Sequence, residues 1–80
     1  MRYILFTRDG CPYCTMAVDL LEEKELDHSV VNFQHSQTEL LNEVKEAHDW
    51  KTVPMIFQRE GQNIKFIGGY TDLEKHLENV

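Results

Sequence analysis

Two cysteines, and only two, occur in the chain, in the run Cys11-Pro12-Tyr13-Cys14. Thiols at this spacing can staple a fold, help to hold a metal, or exchange electrons. As a staple the pair is poor, because a disulfide stabilises more by closing a long loop than a tiny one. A structural zinc needs four ligands, and the sequence has no second C-x-x-C and no H-x-x-x-H pair. His28, His35, His48 and His76 are scattered, none at a spacing from Cys11 that resembles a zinc site. Each reads as a surface or rim histidine, and no metal is expected. An iron–sulfur cluster held between two subunits, with a further thiol from elsewhere, is the remaining metal reading, and the stiffness of Pro12 argues against it.

Redox exchange is where the physical arguments converge. Cys11 immediately precedes a helix whose first position is Pro12, where the missing N–H costs nothing. The sulfur there faces unpaired backbone N–H groups, those of Tyr13 and Cys14, and the positive end of the helix dipole. Both lower a thiol pKa, into a range of roughly 3.5 to 7.5 in motifs of this type. Arg8 adds to the effect, while Asp9 opposes it through a carboxylate that solvent screens. Cys14 falls on the apolar stripe of the helix, so it is expected to be buried and less ionised. The asymmetry assigns the roles: Cys11 attacks and Cys14 resolves. A low-pKa thiol is also a good leaving group, which suits its later release.

The elements that must position this pair follow from periodicity. Residues 2–6 (RYILF) read as a first strand, ending at the turn-rich TRDG. The helix from Pro12 has an apolar stripe of Cys14, Ala17, Val18 and Leu21. A second strand spans 29–33 (SVVNF). Ser36 and Glu39 have capping-box spacing ahead of a helix with Leu40, Leu41, Val44 and Ala47 on its apolar face. VPMIFQ reads as a third strand entered through Pro54, REGQN as a turn and IKFI as a fourth strand. After GGY, Thr71 and Glu74 have capping-box spacing for a last helix on Leu73 and Leu77. The order β-α-β-α-β-β-α predicts a single α/β domain over 1–80, with a four-stranded mixed sheet and helices on its faces. Its first two strands should be parallel and its last two antiparallel. A C-x-x-C beside a βαβ unit points to a thioredoxin-like fold.

Bulk properties exclude several classes. A chain of 80 residues with 41% hydrophobic and 28% charged residues is compact rather than disordered, and too short for two cores. The net charge of −6 repels phosphate backbones, so nucleic acid is not an expected partner. Residues 19–27 (DLLEEKELD) concentrate the acid and read as a solvated face. No run is long enough for a membrane span or a signal-peptide core, so the expected location is the cytoplasm. Disulfides there are transient and catalytic.

CPYC after a first strand, TVP at 52–54 and GGYTD at 68–72 together resemble a dithiol glutaredoxin, along essentially the whole chain. The approach RDGCPYC is similar to that of the short bacterial or phage-type members. The resemblance implies glutathione as co-substrate, with no tightly bound cofactor, and a glutathione site. In that site Pro54 would be a cis-proline, and Val53, in Thr52-Val53-Pro54, would pair its backbone with the cysteinyl part. Thr71 and Asp72 would bind the γ-glutamyl end through a helix N-terminus, with Gly68 and Gly69 allowing close approach. Arg8 and Lys51 would meet the glycine carboxylate, and Tyr13 would wall the sulfur. Met55 stands where the family often has glutamine, and the hairpin is longer than in the shortest members. The resemblance implies disulfide-containing protein substrates, ribonucleotide reductase among them, and the chain is expected to be a monomer. The alternatives are a glutaredoxin-like thioredoxin reduced by a flavoprotein reductase, and an iron–sulfur carrier.

Overall fold

In a computed structural model, described here for residues 1–78, the order of elements is the expected one. Strand β1 spans Arg2–Arg8, helix α1 Pro12–Glu23, strand β2 His28–Phe33 and helix α2 Thr38–Ala47. Strand β3 follows over Met55–Glu60, strand β4 over Asn63–Gly68 and helix α3 over Tyr70–Glu78. The four strands form one sheet in the order β2-β1-β3-β4. β1 pairs parallel with β2 and antiparallel with β3, and β3 pairs antiparallel with β4. The β3–β4 connection narrows to the two residues Gly61 and Gln62, and Gly61 takes a φ of 62°, a conformation that glycine adopts without strain.

Period-two alternation along β1 divides the apolar residues between the two faces of the sheet. Tyr3 and Leu5 join Ile56 of β3, Ala17 and Leu21 of α1, and Leu73 and Leu77 of α3 in one continuous core. Of the stripe read from the sequence of α1, Cys14, Ala17 and Leu21 are buried and Val18 is half-buried. On the opposite face, Ile4 and Phe6 look towards α2, together with an aromatic group. Phe6 packs on Phe33 and Phe57 at ring-centroid distances of 5.3 and 5.2 Å. Phe57 in turn meets Phe66 at 5.1 Å.

Two local expectations are corrected. Ser36 and Glu39 do not form a capping box. A 3₁₀ turn at His35–Gln37 intervenes, and the reciprocal cap is made by Gln34 and Gln37, whose side chain accepts the Gln34 N–H at 3.0 Å. With α2 starting at Thr38, Leu41 is its buried residue, while Leu40 is 50% exposed and Ala47 also faces solvent. Thr71 likewise does not cap α3. The Gly69 carbonyl accepts the Leu73 N–H at 3.0 Å, so the helix starts earlier, and Asp72 reaches back to accept the Gly69 N–H at 3.0 Å.

Helices α1 and α2 end alike. Glu25 and Asp49 adopt φ values of 56° and 50°, and the N–H groups of Leu26 and Trp50 return to Leu21 and Lys45 at 2.9 and 2.7 Å. This is the Schellman closure, built here without glycine. The second of these turns delivers the chain to Lys51-Thr52-Val53-Pro54.

Candidate active site

Cys11 occupies the N-cap of α1 in extended conformation, and its sulfur accepts the Cys14 N–H at 3.2 Å. One of the donors that every helix start leaves unpaired is therefore aimed at the reactive atom. The two sulfurs are joined in a disulfide, with Cα atoms 5.3 Å apart. Cys11 is partly accessible, whereas Cys14 is 5% exposed. The division into an attacking and a resolving thiol thus has a structural counterpart in access.

The Val53–Pro54 peptide is cis, and the Val53 carbonyl oxygen lies 3.7 Å from Cys11 Sγ. Residues 42 positions apart in sequence therefore meet at the sulfur. Pro54 and Met55 are buried, Val53 is half-buried and Thr52 is exposed. The Tyr13 ring is 57% exposed and lies 6.1 Å from that of Tyr70. Tyr70 was not singled out from the sequence, where it counted only as part of GGYTD. Its phenol is held above the ordinary tyrosine pKa by desolvation first, then by the Glu74 and Glu23 carboxylates.

Gly69, Thr71 and Asp72 sit together at the start of α3. In a helix opening at Tyr70, the first N–H groups have no intrahelical acceptor, so those of Thr71 and Asp72 are available to an anion. Asp72 Oδ2 is engaged by the Gly69 N–H, and Asp72 also lines a groove with Lys65, Phe66 and His76. Gly68, at φ 130°, runs so close beneath this carboxylate that an added Cβ would lie 2.7 Å from Asp72 Cγ. Trp50 packs edge-on against Phe66 at 5.2 Å, and its ring is the nearest neighbour a Cβ on Gly69 would meet, at 3.6 Å. It shields the loop from behind. Lys51 lines a separate groove with Asn42, Lys45, Glu46, Asp49 and Trp50, which the cysteines do not border.

Arg8 is brought to the cysteines. A groove of about 380 Å³ runs beside the disulfide, bounded by Thr7, Arg8, Asp9 and Gly10 at the end of β1 and by Cys11, Cys14, Thr15, Val18 and Asp19 of α1. Val30 and Asn32 of β2 complete it. Within it Thr7 Oγ1 donates to Asn32 Oδ1 at 2.9 Å, and Asn32 Nδ2 donates to Asp9 Oδ1 at 2.8 Å. Sequence reasoning missed Asn32. The signal was there in principle, because parallel pairing sets Thr7 opposite Asn32. Among the described residues no group of three or more His, Cys, Asp or Glu side chains is gathered to hold a metal ion, and no helix is long and apolar enough to cross a membrane.

A four-stranded mixed sheet, a C-x-x-C at the start of α1 and a cis-proline entering β3 beside it define the thioredoxin-like class of dithiol proteins. Comparison with known proteins narrows the class. The profile of the glutaredoxin family matches residues 3–62. Glutaredoxin 1 of Escherichia coli is 35% identical over 78 residues, covering 90% of this chain and 87% of that protein. The hybrid peroxiredoxin hyPrx5 of Haemophilus influenzae is 36% identical over 73 residues, and the match takes in 91% of this chain but only 28% of that longer protein. Among solved structures, the glutaredoxin of Brucella melitensis superposes with a TM-score of 0.74 at 32% identity, covering 99% of this chain and 80% of that one. The chain belongs to the glutaredoxin family, and its chemistry is thiol–disulfide exchange.

Proposed function

We propose that the protein is a glutathione-dependent oxidoreductase that reduces protein disulfides and mixed disulfides of glutathione. The observation that carries this reading is the 3.7 Å approach of Cys11 Sγ to the Val53 carbonyl. A cysteinyl peptide bonded to that sulfur lies alongside the Val53 backbone and can pair with it as a one-residue strand. The free N–H groups opening α3 at Thr71 and Asp72 then receive the γ-glutamyl carboxylate. The Asp72 oxygen not held by Gly69 accepts from the neighbouring ammonium. Gly69 lets the backbone approach, Tyr13 walls the sulfur, and Arg8 with Lys51 attracts the glycine carboxylate at the far end. Thr52 continues the Val53 edge.

In the monothiol route the Cys11 thiolate attacks the glutathione sulfur of a mixed disulfide. The Cys11–glutathione bond forms as the substrate thiolate leaves. A second glutathione thiolate attacks that bond, releasing oxidised glutathione and restoring Cys11. In the dithiol route Cys11 attacks a protein disulfide, and Cys14 then displaces the substrate and closes the Cys11–Cys14 bridge, which two glutathiones reduce. The N–H of Cys14, already directed at Cys11 Sγ, favours the thiolate in both routes. We assign the protein to the cytoplasm and take it to act as a monomer, as expected from the sequence. Ribonucleotide reductase is proposed among its protein substrates from the resemblance to short glutaredoxins.

The test is glutathione-dependent turnover of a glutathionylated peptide, coupled to glutathione reductase, in the protein and in its Cys14→Ser variant. Both should turn over. Loss of turnover in both, with reduction of the oxidised protein by NADPH and thioredoxin reductase, would replace the glutathione reading with a thioredoxin-like one.

A further inference from the structure

The groove beside the disulfide carries two carboxylates, Asp9 and Asp19, for which the glutathione reading has no use. Asp9 is pinned by Asn32, which is itself held by the buried Thr7 hydroxyl, so one carboxylate oxygen is committed and the other is left for a ligand. A second carboxylate, Asp19 of α1, lines the same groove. Glu22 and Glu23 follow it at i+3 and i+4, continuing the negative surface along one side of the helix. Arg8 is the one cation lining the groove among the described residues, and it is shared with a neighbouring groove that contains Lys45. Because Cys11 and Cys14 line this groove as well, whatever enters it lies beside the cysteine pair.

We propose that this groove receives a lysine or arginine side chain that a disulfide-bearing protein or peptide carries next to the cysteine attacked by Cys11. The aliphatic stem lies along Val18 and Val30, and the charged head reaches Asp9 and Asp19. This selectivity rests on the dithiol chemistry of Cys11 and Cys14 but not on which thiol regenerates them. Electrostatic complementarity at such a rim acts mainly on the encounter rate, and so on the choice among substrates.

Single-turnover reduction tests it without glutathione. Two electrons and two protons pass from the pre-reduced Cys11 and Cys14 thiols to a peptide disulfide, leaving the Cys11–Cys14 bridge and two peptide thiols. Two peptides are compared, with lysine or glutamate beside the attacked cysteine. The wild type should favour the lysine peptide by about threefold to fivefold at low salt. Asp19→Asn should lower that preference, Asp19→Lys should invert it, and about 0.5 M salt should flatten it. Bis(2-hydroxyethyl) disulfide, which is uncharged, should react at one rate with all three proteins. Equal rates for the two peptides with wild type, or an unchanged preference in the Asp19 variants, would overturn the proposal. So would a parallel change with the uncharged disulfide, because Asp19 would then act on thiol reactivity and not on docking. Should glutathione turnover fail while the peptide preference persists, the glutathione reading falls and the groove stands.

Discussion

The two faces of the sheet are built to different standards. On one, α1 and α3 close over Tyr3, Leu5 and Ile56, and the seven residues of that core range from fully buried to 7% exposed. On the other, α2 buries Leu41 alone and leaves a groove of about 320 Å³ between Val44, Ala47 and His48 of the helical side and Ile4, Phe6 and Phe57 of the sheet. The cysteine pair begins one of the two helices of the closed face, and the candidate anion site begins the other. Dense packing holds the parts that must meet at one sulfur. The α2 face has no such duty beyond carrying the chain to Trp50 and the cis-proline.

Substitutions can break or sharpen this contrast. The largest effect is expected for Leu21→Ala, in the closed core, at about 3–5 kcal/mol of unfolding free energy in urea titrations. Leu41→Ala should cost about 2 kcal/mol, because its surroundings are open enough to relax, and Leu40→Ala should stay within about 0.5 kcal/mol. Equal losses for Leu21 and Leu41 would refute the contrast. Gly68→Ala sets a Cβ against Asp72 at a backbone angle that side chains rarely adopt, and should cost about 2 kcal/mol. It should also raise the KM for glutathione by displacing Asp72.

Glu25→Gly and Asp49→Gly provide a matched pair, one at the end of each face's helix. Relief of the left-handed conformation should stabilise by about 1 kcal/mol in each case, read as a raised Tm. A gain at Glu25 alone would mean that α2 already frays at its end. The gentlest probe is pH. Burial raises the Tyr3 phenol above its ordinary pKa of 10.0, so the folded state holds that proton longer than the unfolded one. The resulting stability is complete below the unfolded value and is lost as pH rises through the higher folded one. Tyr3→Phe should flatten the alkaline limb of a stability-versus-pH profile.

The fold was readable because its signals are local and agree with one another. Pro12 sets the start of α1, Cys14, Ala17 and Leu21 of its stripe are buried, and Gly61 marks the hairpin tip. The difference in placement between the capping Cys11 and the buried Cys14 was readable for the same reason, since capping and periodicity alone distinguish them. Capping boxes were not. Ser36–Glu39 and Thr71–Glu74 have the right spacing, but spacing does not say which carbonyl closes the first turn. A 3₁₀ turn in one case and Gly69 in the other decided it. Leu40 looked like core because its helix was read with a broad apolar face, whereas Leu41 is the one residue of that face that is fully buried. Asn32 and Tyr70 escaped notice because their partners, Thr7 and Tyr13, come from distant parts of the chain. Tertiary register, invisible in composition, makes those pairs.

The hairpin tip has a practical consequence. Gly61 has open space around the position a side chain would take, and the β3–β4 ladder runs from Glu60 opposite Asn63 at the tip to Ile56 opposite Gly68 at the site. An inserted tag or fluorophore at Gly61–Gln62 would therefore be insulated from the chemistry by the length of a strand pair. It would serve as an anchor for immobilising the protein with its sulfurs facing solution.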